Sequence, residues 1–150
     1  MLKVKKILCP IDFSEGSYKA LEMACGYADH FAADLILVHV VAPVPTTMAG
    51  PEPAMAFDVN SYEGHLMKTN EKHIKKVAEE RVPDDINVRP MIVRGDPADQ
   101  IIRTASDEGV DLTVIASRGH ASFKEMLFGS VAERVIKHSK NPVLSVREDV

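Results

Sequence analysis

Five short apolar runs recur along the chain: KKILCPID at 5–12, DLILVHVV at 34–41, the weaker VRPMIV at 88–93, VDLTVIAS at 110–117, and the end of NPVLSV near 142–146. Their length and content of branched residues predict strands, and the segments between them carry helical spacing instead. Ser14 is placed to cap a helix whose Ala20, Leu21, Ala24, Cys25 and Ala28 share one face. In GDPADQIIRTASDEG, Asp96 reads as an N-cap, Pro97 as the first helical residue and Gly109 as the stop. Leu66 to Arg81 reads as a surface helix with Leu66, Ile74, Val77 and Ala78 inward, and a further helix starts near Ser130.

Strands alternating with helices require crossovers, and crossovers make neighbouring strands parallel. The expected architecture is α/β: a single doubly wound domain spanning 1–150, with a five-stranded, mainly parallel sheet in the order 3-2-1-4-5 and helices on both faces. Ligands of such folds sit beyond the carboxyl ends of the strands, where the winding reverses. For that order the reversal lies between the first and fourth strands, whose ends carry CPIDFS and ASRGHAS.

Composition narrows the partners. With 150 residues and 45% hydrophobic content the chain can bury a real core. A formal charge of -4 leaves no basic excess for a nucleic-acid backbone, which favours a small molecule or a protein. Cys9 and Cys25 make neither a disulfide framework nor a zinc site. The N-terminal apolar run stops at Pro10 and Asp12, too short for a signal peptide, and the rest of the chain has no membrane-length apolar stretch. A cytoplasmic protein in a reducing compartment is expected. Ala42 to Val59, with Pro43, Pro45, Pro51 and Pro53 beside Met48, Met55 and Phe57, reads as a surface loop, a ligand lid or a subunit contact.

The candidate chemistry concentrates at the two strand ends. At Gly129 and Ser130 the chain enters a helix whose first amides lack partners, an arrangement that attracts anions. The same residues open SVAE, which matches a capping box with Ser130 reaching forward and Glu133 reaching back. Gly119 either turns the chain or lets a phosphate approach it, and Arg118, His120 and Lys124 bring cationic or titratable donors to that loop. Asp12 is placed to accept from sugar hydroxyls or to help Ser14 cap its helix. Pro10 either marks an edge or walls a ring. His39, mid-strand, reads as a satisfied core histidine, and His65 and His73 as a solvated face. Cys9 has no histidine fixed beside it, and no Walker, G-x-G-x-x-G or H-E-x-x-H pattern occurs. Local chemistry points to binding rather than turnover.

Over nearly its whole length the chain resembles the universal stress proteins. ILCPIDFSEGSYKAL is similar to that family's opening strand and turn, LILVHVV to its second strand, and VRGDPADQII, GVDLTVIASRGH and GSVAERVIKHSKNPVLSV to its later segments. The family motif G-x2-G-x9-G followed by Ser or Thr is matched from Gly119 through Gly129 to Ser130, with Ala116 at the first glycine's position; S-R-G-H replaces the commoner S-H-G-R. The resemblance implies a homodimeric, ATP-binding stress-response protein, with or without Mg2+ and at most a weak ATPase; the short apolar last strand, which would expose an unpaired edge, is expected to join the subunits. Pro10, Asp12 and Val40 would frame adenine and ribose, with Ile11 between them. Ile115, Ala116, Arg118, Gly119, His120, Gly129, Ser130 and Val131 would line the phosphate side. If the backbone at Ala116 needs positive φ, its methyl costs about 1 kcal/mol. The alternative is an interaction protein with a vestigial pocket.

Overall fold

The computed structural model describes residues 1–43, 58–118 and 129–148. Its elements are β1 (Lys6–Pro10), α1 (Glu15–Phe31), β2 (Asp34–Val41), α2 (Val59–Arg81), β3 (Val88–Arg94), α3 (Pro97–Asp107), β4 (Leu112–Ala116), α4 (Ser130–His138) and β5 (Val143–Val146). The strands form one sheet in the order β3-β2-β1-β4-β5, every neighbouring pair parallel.

Period-2 alternation sorts the buried strand residues into two layers. Ile7, Cys9, Leu35, Leu37 and Val114 pack with α1 and α2 residues such as Leu21, Ala24, Ile74 and Val77. Leu8, Ile36, Val38 and Ile115 pack with Ala98, Ile101, Ala132 and Val135 of α3 and α4. Both faces of the central strands are covered, which is why their sequences read as unbroken apolar runs.

Three of the helices begin on side-chain caps. Ser14, Asp58 and Asp96 accept from the amides of Ser17, Ser61 and Asp99, and Pro97 occupies the first turn of α3 as its sequence predicts. α2 starts well before Leu66: Asp58 caps it, and the buried Glu63 carboxylate pairs with Arg94 of β3 at 2.5 Å, so an ion pair holds the extra turns.

The register explains where a crevice opens. Pairing of β1 with β2 ends at Pro10↔Val38, whereas β2 continues beside β3 to Val41↔Arg94. Ile11 N donates to Val38 O, so the odd residues of β1 face β2 and Pro10 faces β4. Pro10 has no N–H to give β4, and the β1–β4 register stops at Leu8↔Thr113. The two central strands therefore part at their carboxyl ends.

Candidate functional site

A cavity of about 390 Å³ occupies that split. β1 and the turn after it contribute Pro10, Ile11 and Asp12; β2 contributes Val38, His39 and Val40; β4 and its exit contribute Ile115, Ala116 and Arg118. The N-terminal turns of α1, α3 and α4 close it with Ser17, with Pro97 and Ile101, and with Ser130, Val131 and Ala132, Gly129 lying just before α4. A larger depression of about 610 Å³ between α1 and residues 81–86 lies away from the strand ends.

One wall is apolar: Val38, Val40, Pro97, Ile101 and Ile115 line it. Along its edge runs an unused stretch of backbone. Asp34 N donates to Lys5 O and Ile11 N to Val38 O, so the even residues of β2 direct their peptide groups toward β1; Leu35 and Val41 direct theirs toward β3. Val40 continues the even series beyond the end of β1, and the backbone bonds of the described residues include none from its amide to that side. Its N–H and C=O point into the split.

At the opposite end α4 begins on Gly129, and no side chain caps it. The capping box expected over Ser130 to Glu133 does not form. Gly129 N donates to Ser117 O at 2.5 Å, which fixes the chain one residue ahead of Ser130 and makes Gly129 the N-cap. Ser130 is thereby the first helical residue and exposed, and Glu133 turns forward to Lys137 Nζ at 2.8 Å. That ion pair holds the Glu133 carboxyl below its usual range. The first-turn amides of α4, uncapped, meet the cavity with the positive end of the helix dipole behind them.

Asp12 supports the cap of α1 and also borders the cavity. Its Oδ1 accepts from Ser14 N at 3.0 Å and from the Ser14 hydroxyl, which itself caps α1, while the residue lines the cavity. His39 is satisfied, though not as a core residue: half-buried and lining the cavity, it has Nδ1 2.8 Å from Ile11 O. Burial pushes its pKa down, His73 adds to that, and the Ile11 bond and the Asp12 charge oppose it. His73 is exposed as expected, yet stacked on Phe13. Cys9 is fully buried and its thiol is held well above the usual range, while burial pushes Cys25 up to about 11, so burial disfavours the thiolate of both.

Of the residues expected at the site, Pro10, Ile11, Asp12, Val40, Ile115, Ala116, Arg118, Gly129, Ser130 and Val131 meet around one cavity, while Gly119 and His120 lie outside the described residues. The proline-rich stretch falls outside them over 44–57 as well. Sequence reasoning missed Ser17, Val38, His39, Pro97, Ile101 and Ala132. Pro97 and Ile101, four apart on a helix that begins at a strand end, were the available signal. Among the described residues no group of three or more His, Cys, Asp or Glu is placed to hold a metal, and no helix is long and apolar enough to cross a membrane.

The model of the universal stress protein family matches residues 3–147. Universal stress protein MJ0577 of Methanocaldococcus jannaschii is 33% identical, over 95% of this chain and 94% of that protein. A solved structure of MJ0577 superposes with a TM-score of 0.83 at 34% identity, covering 99% of each chain. Two more distant structures share the fold. A universal stress protein in complex with cAMP has a TM-score of 0.62 at 21% identity, covering 97% of this chain and 98% of that one. One from Archaeoglobus fulgidus in complex with dAMP has 0.59 at 19%, covering 97% and 99%.

Proposed function

The chain belongs to the universal stress protein family, and from that premise we propose that it is a regulatory or stress-response protein that holds an adenine nucleotide, ATP foremost, in the cavity between β1 and β4. The observation that carries this is the open peptide edge of Val40 above an apolar wall. Adenine presents an acceptor, N1, beside a donor, its 6-amino group, and Val40 offers N–H and C=O in the matching order. Guanine presents N1–H and O6, which sets donor against donor and acceptor against acceptor, and a buried mismatch of that kind costs more than the bond is worth.

The rest of the cavity suits the remainder of the nucleotide. Asp12 serves the ribose hydroxyls, and the uncapped α4 terminus with Arg118 serves the phosphates. Gly119 and His120 are proposed to complete the phosphate side. In support, two proteins of the same fold hold cAMP and dAMP.

We further propose a homodimer through β5, which lies at the sheet edge. Denaturing the purified protein and analysing the released small molecules by mass spectrometry tests the main reading. ATP or AMP at near one per chain is expected; release of nothing, together with no binding of added ATP in calorimetry, rejects the reading in favour of a pure interaction protein.

A further inference from the structure

We propose that His39 is a positioning residue that keeps the Val40 peptide open to a base by occupying the one carbonyl that would otherwise take its amide. The alternation along β2 makes Val40 N–H the next donor toward β1 after Val38, and Ile11 O the oxygen it would reach if the ladder ran one step further. That oxygen accepts instead from Nδ1 of His39 at 2.8 Å. A carbonyl can only accept, so the contact places the ring proton on Nδ1. Phe13, its ring centroid 4.5 Å away, packs against the imidazole. The Ile11 carbonyl is therefore satisfied without the strand continuing, and the chain is free to turn at Asp12.

Loss of the ring has a specific consequence. With His39→Leu the half-enclosed Ile11 oxygen has no donor, and the nearest group able to satisfy it is Val40 N–H. The ladder then extends by one bond, and the donor meant for the base is consumed. His39→Asn should reverse this, because an amide N–H on a short side chain reaches much the same point as Nδ1. A residue that merely fills space would show the opposite ranking, with Leu the better replacement.

The role concerns the backbone first and the ligand second; only the identity of the base rests on the adenine-nucleotide reading. Amide hydrogen exchange of the nucleotide-free protein, read by NMR, tests it directly. Val40 is expected to exchange freely in the wild type and in His39→Asn, and about tenfold or more slowly in His39→Leu. A Val40 amide already protected in the wild type overturns the proposal without any variant, and so does equal exchange in wild type and His39→Leu. Titration with ATP and GTP supplies the second readout: His39→Leu should lose about tenfold in ATP affinity with GTP little changed, and His39→Asn should restore the preference. If Val40 exchange responds as expected but the wild type binds neither nucleotide, the adenine reading falls and the positioning role stands.

Discussion

The rings of Phe13 and His73 lie face to face, 3.8 Å between centroids and 9° from parallel, and tie the β1–α1 turn to α2. Phe13 makes this contact from a left-handed backbone, φ 64, which is costly for a bulky residue. The stack and the strain should separate by substitution. Phe13→Ala loses the stack and keeps the strain, whereas Phe13→Gly loses the stack but accepts the conformation, so the glycine variant should be the more stable of the two by about 0.5–1 kcal/mol in urea denaturation. His73→Ala should cost about 0.5 kcal/mol, the low end for such a pair because His73 is exposed. An alanine variant more stable than the glycine one would show that the turn stores no strain.

Asp12 holds the same turn from its other side and is placed to serve a ligand as well. Asp12→Ala should cost about 1 kcal/mol of stability, by removing the acceptor for Ser14, and weaken ATP by roughly ten- to a hundredfold. Asp12→Asn keeps an oxygen for the turn and loses the charge, so its stability should stay near wild type while its affinity falls part of the way. Calorimetry in which both variants bind like wild type assigns Asp12 to the turn alone.

Edge pairing through β5 is tested at Ser145. Thr113 N donates to Pro142 O and Ser117 N to Val146 O, so even residues of β5 serve β4 and the peptide groups of Val143 and Ser145 face outward. Ser145→Pro deletes an outward N–H and no bond to β4, and it removes a buried hydroxyl that has no partner. Val143→Lys is the poorer probe, because Val143 packs against the α3–α4 layer. Sedimentation at tens of micromolar should show a dimeric wild type and a largely monomeric Ser145→Pro; a monomeric wild type ends the idea.

Acidification should act through His39. Its folded pKa is lowered, chiefly by burial. As pH falls below about 6.5 the unfolded chain takes up a proton that the folded chain refuses until lower pH, so stability is full above that value and declines beneath it. His39→Asn keeps a donor for Ile11 O and has nothing to titrate. Comparing urea midpoints at neutral pH and near pH 5.5, the wild type should lose more than the variant; equal losses would place the acid sensitivity elsewhere.

Much of this was readable in the sequence because it depends on local pattern. β2 runs from Asp34 to Val41 as its apolar stretch predicts, and α3 starts at Asp96 and Pro97 because those residues suit a helix start whatever surrounds them. The failures share a cause. Ser130 to Glu133 has the letters of a capping box, but a bond from Gly129 to the distant Ser117 carbonyl decides where α4 begins. His39 reads as core because its strand neighbours are apolar; that β1 ends beside it is a fact of register between two strands. The early start of α2 depends in the same way on Glu63 meeting Arg94.

The two ends of the phosphate motif make opposite predictions once their backbones are known. Gly129 has φ -67 and ψ 157, a conformation open to any residue, so its glycine is not required for turning. It is buried against the cavity, so what the position demands is room. Gly129→Val should place a branched side chain where phosphate approaches and reduce ATP affinity about a hundredfold or more. Ala116 is not among the positive-φ residues, which among the described non-glycines are Phe13 and Ala32, so its methyl carries no conformational cost. Ala116→Gly should therefore change affinity by no more than about threefold, while lowering stability by roughly 0.5–1 kcal/mol as glycine does within a strand. Titrations at fixed magnesium, with thermal melts on both variants, check the pair. Wild-type binding by a folded Gly129→Val would move the phosphates away from the α4 terminus, and tenfold tighter binding by Ala116→Gly would mean that ligand and backbone approach more closely at β4 than this geometry allows.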